Sequence, residues 1–338
     1  MNNLYFFFRL LVIFNDANRF HLSRQYHESN NTMKNDLKNI VVLGSSNTDM
    51  VVRSPHLPKP GETVLGGEFM MNNGGKGANQ AVAAARLGGN VCFISKIGSD
   101  VFGQKAITDY RREGINVDYV FVDDEAPSGV ALILVDEKTG ENSISVASGA
   151  NLRLLSTDID QATEVLEKCD ILLMQLEIPI ETVEYAAETV HKHGGKVVLN
   201  PAPAQPLSDE LLANVDILIP NESEASILSG IPVETDEDAR RAATALSDRG
   251  VDTVIMTLGS KGALVKEGNK FTAVPAHKVK AVDTTAAGDT FCGALCVAIN
   301  EGQTIEEAVD FACRCSAISV TRAGAQQSTP HRHEVERQ

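Results

Sequence analysis

Short apolar runs closed by glycine or a polar residue recur along this chain, and most are separated by stretches of helical character. "NIVVLG" (39–44) predicts a buried strand. "GGKGANQAVAAARLGG" predicts an Ala-rich helix opened by glycines and stopped by Gly88 and Gly89. "NVCFISKIG" is the next strand and "DVFGQKAITDYRREG" the next helix. The rhythm continues through "DILLMQLE", "IETVEYAAETVHKHGG", "KVVLNPAP", "VDILIPNE", the helix in "EDARRAATALSDRG", and "VDTVIMTLG". Such alternation predicts an α/β protein with three α/β/α layers around a mostly parallel central sheet, because a parallel sheet must be covered on both faces.

Two segments break the rhythm. "DMVVRSPHLPKPGETVLGGEF" (49–69) and "SGVALILVDEKTGENSISVASGAN" (128–151) combine strand-forming residues with turn signals, without a helix between. Each predicts a hairpin. Together, over about 48–70 and 127–150, they are expected to form a small β-sheet lid over the mouth of the body; extra edge strands are the plainer alternative. No repeat or dividing linker stands out, so residues 37–330 are expected to form one domain, with an extension over 1–36 and a polar tail over 331–338. The extension contains "LYFFFRLLVIF", interrupted by Arg9 and too short for a membrane span. The expected functional start is Met33, whose "MKNDLKNIVVLGSS" opens like a cytoplasmic enzyme. Residues 1–32 are then a start-site artefact or a disordered tail, with a membrane anchor as the alternative.

Composition narrows the classes. Of 338 residues, 43% are hydrophobic and 22% charged, as in ordinary globular proteins. The formal net charge of −15 and the scattered basic residues speak against a nucleic-acid partner, since no basic face is available to neutralise phosphates. The six cysteines (Cys92, Cys169, Cys292, Cys296, Cys313 and Cys315) include no CxxC pair and no adjacent histidine, so packed core thiols are expected rather than a zinc site or a disulfide framework. The pairs His191/His193 and His331/His333 read as solvated surface histidines.

Candidate chemistry gathers where strands end. Asn47 and Asp49 follow the first strand, Glu177 follows "LLMQ", Asn200 ends "VVLN", Asn221 and Glu224 follow "LIP", and a Gly-rich turn follows "IMTL". Ligands of open α/β sheets bind outside the carboxyl ends of their strands, so these residues point to one polar ligand site. In "DTTAAGDTFCGAL", Ala286, Ala287 and Gly288 lead into a helix whose first amides have no intrahelical acceptor. Such an end attracts phosphate, and small side chains let it come close. Asp289 in that first turn suits a proton acceptor for an alcohol attacking the phosphate; a carboxylate that merely stabilises the helix dipole is the plainer alternative. The nucleotide motifs with the best-defined spacing are missing. A P-loop around Lys76 would need Gly at 70 and Ser or Thr at 77, where Met70 and Gly77 stand, and no G-x-G-x-x-G follows a strand.

The sequence resembles the PfkB carbohydrate kinase family over roughly residues 38–330. The resemblance rests on "NNGGKGANQAVAAARLG" and "DTTAAGDTFCGAL", which match the two signatures of that family, with "GSSNTD", "MQLE", "NPAPA", "PNESEA", "TLGSKG" and "VTRAGAQQS" in the family's order. It implies the ribokinase-like fold and ATP-dependent phosphorylation of D-ribose at its 5-hydroxyl. A 2-deoxyribose kinase, fructokinase or adenosine kinase of the same family, and a non-catalytic sugar- or nucleotide-binding sensor, are the alternatives. By position, the resemblance makes Asp289 the catalytic base and Ala286, Ala287 and Gly288 the anion hole. It implies a sugar site of Asn47, Asp49, Gly75, Lys76, Gly77, Asn79 and Glu177, with Asp289 on the reacting hydroxyl. Asn221, Thr257, Leu258, Gly259, Ser260, Lys261 and Gly262 would line the ATP site with Gly288, and Cys313 falls where the family variably places a residue near the adenine. Glu224 would serve the Mg²⁺ and phosphate region. Asp283, Thr285, Ser319, Arg322, Gly324 and Ser328 would form a K⁺ loop, several through backbone carbonyls. The lid sheet would also join a homodimer.

Overall fold

A computed structural model describes residues 38–65 and 67–337; the expected extension and the start at Met33 lie outside the described residues. The described strands are β1 (Asn39–Leu43), β2 (Asn47–Ser54), β3 (Glu68–Gly74), β4 (Asn90–Gly98), β5 (Val120–Asp123), β6 (Gly129–Asp136), β7 (Asn142–Ala147), β8 (Ile171–Met174), β9 (Lys196–Leu199), β10 (Ile217–Leu218), β11 (Thr253–Thr257), β12 (Gly262–Glu267) and β13 (Lys270–Pro275). The longer described helices are α1 (Lys76–Arg86), α2 (Val101–Arg112), α3 (Ile180–Lys192), α4 (Glu222–Ser229), α5 (Asp236–Ser247), α6 (Ala287–Asn300) and α7 (Ile305–Ser319).

Nine strands form one sheet in the order β13-β12-β11-β10-β9-β8-β1-β4-β5. All its pairs are parallel except β11–β12 and β12–β13. The central strands are continuous apolar runs because both faces are covered. Successive residues point to opposite sides: Ile40 and Val42 pack into the core under α1, α2, α6 and α7, whereas Val41 and Leu43 pack under α3, α4 and α5. The three layers follow directly from this alternation. The antiparallel β12–β13 edge is an addition to the alternating pattern; its signal is the alternation of "GALVKEGNKFTAVP" around a turn at Gly268, whose φ is 51°. "VDILIPNE" yields only two laddered residues in β10. The chain nevertheless stays extended, with Ile219 N–H donating to Leu199 (2.8 Å) and the Pro220 carbonyl accepting from Thr257 (2.9 Å). Pro220 cannot donate, which interrupts the ladder.

The two irregular segments form a separate sheet in the order β3-β2-β6-β7. Its outer pairs are antiparallel, as hairpins would be, and β2 and β6 join them in parallel. β2 begins four residues after β1 ends, so the sheet springs from the carboxyl end of the main one. It exposes Phe69, Met71, Leu132, Ile144 and Val146.

All six cysteines are buried and unpaired, as core thiols. Among the described residues no cluster of three or more His, Cys, Asp or Glu side chains is arranged to hold a metal, and no helix is long and apolar enough to cross a membrane. The segment that reads as a polar tail folds back instead. Arg332–Val335 is helical, Val335 is buried, and Arg332 pairs with Glu301 at 2.8 Å.

Candidate active site

The carboxyl ends of β1, β8, β9, β10 and β11 meet the first turns of α1 and α6 at one edge of the large sheet. A cavity of about 220 Å³ opens there, lined by Lys76, Asn200, Ala202, Ile219, Asn221, Glu224, Thr257, Thr284, Ala286, Ala287, Gly288, Asp289 and Cys292.

α6 begins at a strained point. Ala286, its N-cap, is the one non-glycine residue with positive φ (57°) among the described residues. Thr290 N–H donates to the Ala286 carbonyl at 2.9 Å and Ala287 N–H to Thr284 at 3.2 Å. The amides of Gly288 and Asp289 therefore have no acceptor within the helix, and a Cβ at Gly288 would meet open space. Small residues leave this helix end open toward the cavity, and the helix dipole makes it positive.

Asp289, buried in the same turn, accepts from Asn79 Nδ2 at 2.9 Å on Oδ2 and from Gln80 Nε2 at 3.0 Å on Oδ1. Burial raises its pKa above the usual carboxylate range, opposed by the Lys76 charge and the two amide donors. Burial works against the Lys76 charge, yet Asp289, Glu177 and Glu224 together hold its pKa above the ordinary value. Asp49 is pushed up to about 6 by burial and by repulsion from Glu177 and Asp289. Glu224 is raised chiefly by burial, partly offset by the Asn221 amide and by Lys76. Three carboxylates, Asp289, Glu177 and Glu224, thus share one ammonium group, with Asp49 beside two of them.

The glycines at the start of α1 serve close approach. A Cβ at Gly77 would lie 2.5 Å from the Ser45 nitrogen, and one at Gly75, whose φ is 87°, would lie 2.8 Å from the Asn47 nitrogen. α1 can therefore start directly against the β1–β2 turn, where Glu177 accepts from Lys76 N–H at 3.0 Å and from Ser45 Oγ at 2.5 Å. Asn47 sits beside them, its Oδ1 accepting from Asn151 Nδ2 at 2.7 Å.

On the other side, Asn221 caps α4. Its Oδ1 accepts from Glu224 N–H, and its own N–H and Nδ2 donate to the two Glu224 carboxylate oxygens, each at 2.8 Å. Of the expected Thr257–Gly262 loop only Thr257 lines the cavity. Leu258 packs against the apolar core, Gly259, Ser260 and Lys261 are exposed, and Gly262 allows β12 to pass the Val274 carbonyl, which a Cβ would meet at 2.1 Å. Cys313, expected near the adenine, lies on α7 among buried core residues and does not line this cavity, and burial pushes its thiol up to about 11.

The residues expected to hold K⁺ gather behind the first turn of α6. Asp283 accepts from Thr285 N–H (2.9 Å), Thr285 Oγ1 (2.6 Å) and Gly324 N–H (2.9 Å). Burial alone would raise Asp283, but those hydrogen bonds hold it below the ordinary value. The buried Ser319 and Ser328 hydroxyls lie 2.8 Å apart, and Thr290 of α6 reaches Ser319 at 3.5 Å. The Arg322 guanidinium pairs with Glu334 at 2.7 Å. Site residues not singled out from the sequence are Ser45, Gln80, Asn151, Gln175, Thr284 and Cys292. The signal available for Gln80 is that it follows Asn79 in a polar pair set immediately before the buried run Ala81–Ala84. Asn200 is visible as a strand end.

An open-ended amide turn, a buried carboxylate in the same turn and a polar pocket at the carboxyl edge of a parallel sheet define a small-molecule phosphotransferase. The chain belongs to the pfkB family of carbohydrate kinases, whose sequence model matches residues 37–332. It is 48% identical over 298 residues to a ribokinase of Haemophilus influenzae, covering 88% of this chain and 97% of that one. It is 42% identical over 292 residues to a deoxyribokinase of Salmonella typhi, covering 86% and 95%. The structure of Arabidopsis thaliana ribokinase complexed with ribose and ATP is similar to this fold, with a TM-score of 0.83, 35% identity, and coverage of 89% of this chain and 98% of that one.

Proposed function

We propose that the chain transfers the γ-phosphoryl group of ATP to the 5-hydroxyl of D-ribose, with Asp289 as proton acceptor. The observation that carries this is Asp289 in the first turn of α6, beside amides with no acceptor and next to Lys76. Phosphoryl transfer asks the protein mainly for positioning and charge stabilisation. Gly288 and Asp289 amides offer the stabilisation, and Lys76 adds a positive charge. Burial raises the basicity of Asp289, while Lys76, Asn79 and Gln80 favour its ionised form. Asn47, Asp49, Asn79 and Glu177 bind the sugar hydroxyls, and buried donor–acceptor matching of this kind discriminates strongly between sugars. Ala286–Gly288, Asn221 and Thr257 accommodate the nucleotide's phosphates and adjoining groups.

The excess of carboxylates repels a bare polyphosphate and suits one complexed with a divalent cation. Glu224 would hold Mg²⁺ together with the phosphates, and bound Mg²⁺ supplies neutralisation of the charge that develops on transfer. Carbonyl and hydroxyl oxygens around Asp283, Thr285, Ser319, Arg322, Gly324 and Ser328 fit K⁺, which favours neutral oxygen ligands. An ion there would brace α6 through Thr290. Apolar side chains exposed on the lid sheet, with Phe69, Met71 and Leu132 together on one face, support a homodimer formed through that sheet.

The similarity to a deoxyribokinase favours 2-deoxyribose as the second reading. One experiment addresses these points: ADP production by wild type and Asp289→Asn across ribose, 2-deoxyribose, fructose and adenosine, with K⁺ or choline as the counter-ion. Wild type is expected to be fastest on ribose and slower in choline. Asp289→Asn is expected to lose about 10²–10⁴-fold in kcat while still binding ATP. Near-wild-type turnover by that variant would show the base to be misassigned; a higher kcat/KM for another sugar would replace ribose.

A further inference from the structure

We propose that Gln80 is the positioning residue of the catalytic carboxylate, the inner member of a relay of side-chain amides that fixes Asp289 from behind. The proposal rests on Asp289 being the proton acceptor. Gln80 lies fully buried in α1. Its Nε2 donates to Asp289 Oδ1 at 3.0 Å and to Asn200 Oδ1 at 3.1 Å, and its Oε1 accepts from Gln175 Nε2 at 2.5 Å. Asn200 Nδ2 in turn donates to the Ile219 carbonyl at 2.9 Å.

Both ends of this relay are acceptors only: an ionised carboxylate at one end and a backbone carbonyl at the other. That fixes the orientation of each amide between them. Turning the Gln80 amide over would set its oxygen against Asp289 Oδ1 and Asn200 Oδ1 at once. Gln80 thereby ties the ends of β8 and β9, and the extended stretch after β10, to one carboxylate oxygen. Asn79 holds the other oxygen. The plane of the carboxylate is then set, and the remaining lone pairs face the place of an incoming hydroxyl, which is how positioning lowers a barrier.

Packing alone does not call for glutamine here, because the next four residues, Ala81, Val82, Ala83 and Ala84, are buried and apolar. A charge alone does not either: the charged or titratable groups facing Asp289 are Lys76, Glu177, Asp49, Glu224 and the Cys292 thiol, and Lys76 is the only cation among them.

The test is the pH dependence of kcat for wild type, Gln80→Met and Gln80→Glu, beside Asp289→Asn. Methionine keeps the volume and removes the donor; glutamate keeps the shape and adds a like charge. Both are expected to lose at least about tenfold in kcat at neutral pH, with KM for sugar changed much less, since a hydrogen bond to a charged group is lost. The acid limb is expected to move up by about one pH unit in Gln80→Met and further in Gln80→Glu. That order is something a purely structural role would not produce, and the methionine variant alone decides the direction if the glutamate variant folds poorly. An acid limb fixed at its wild-type position, with or without a uniform loss of rate, overturns the proposal while leaving the assignment of Asp289 intact, provided Asp289→Asn is inactive. Turnover persisting in Asp289→Asn overturns both.

Discussion

Gly293 lies one helical turn beyond Asp289 on α6, on the face that meets α1. A Cβ there would stand 2.7 Å from the Ala83 Cβ, 2.7 Å from the Gln80 carbonyl oxygen and 2.8 Å from the Ala84 nitrogen. Carbon atoms at rest are about 3.5–4.0 Å apart, so Gly293→Ala forces α6 away from α1 by about 1 Å. Two of the three obstacles are backbone, which cannot rotate aside. Overpacking of this kind costs about 1–3 kcal/mol, a fall in melting temperature of about 2–10 °C for a domain of this size. Residues four apart share a helix face, so the displacement also carries Asp289 away from Asn79 and Gln80. A misplacement of about 1 Å can cost about 100-fold in rate. Thermal melting and steady-state ADP release measure the two effects. Adding Ala83→Gly removes one obstacle and leaves the backbone pair, so recovery should be partial. A Gly293→Ala enzyme with unchanged melting temperature and kcat/KM within about twofold of wild type refutes the close-packing account; full recovery in the double variant shows that the backbone contacts do not matter.

Substitutions at two further positions probe the cost of building the site. The folded-state pKa of Asp49 is raised from 3.8 to about 6, so folding favours its protonated form. The penalty is absent below the unfolded value, grows as pH rises through this window and is complete above about 6, reaching at most about 3 kcal/mol. Asp49→Asn should therefore gain stability over wild type as pH rises from 4 to 7, read as the difference in denaturation midpoints, and should bind sugar less well; a difference independent of pH would rule out this origin. At Ala286, the left-handed conformation tolerates glycine and opposes a β-branched side chain. Ala286→Val should lose about 2 kcal/mol while Ala286→Gly stays near wild type, because relieved strain offsets the added freedom of the unfolded chain; equal melting temperatures for the two variants would remove strain from the account.

Much of this molecule is legible in its sequence because the responsible forces are local. Continuous apolar runs gave β1, β8 and β9 as doubly covered strands, and glycine stops gave the end of α1. "DTTAAGDTF" placed a carboxylate in the first turn of α6. Turn signals in 49–69 and 128–151 announced the lid strands, although not that β2 and β6 would pair in parallel, Asn47 beside Gly129. What the sequence could not state is who meets whom. Asn79 read as a sugar ligand by resemblance and Gln80 as an ordinary position of an Ala-rich helix, yet both hold a carboxylate, 210 and 209 residues away. Cys313 matched a motif position and turned into the core. Periodicity and capping are decided within a few residues and survive in the string of letters. The order of strands in the sheet, and the closeness of α1 to α6 that Gly293 permits, arise only when distant segments pack, and they alone bring the base, its amide donors and the lysine into one cavity.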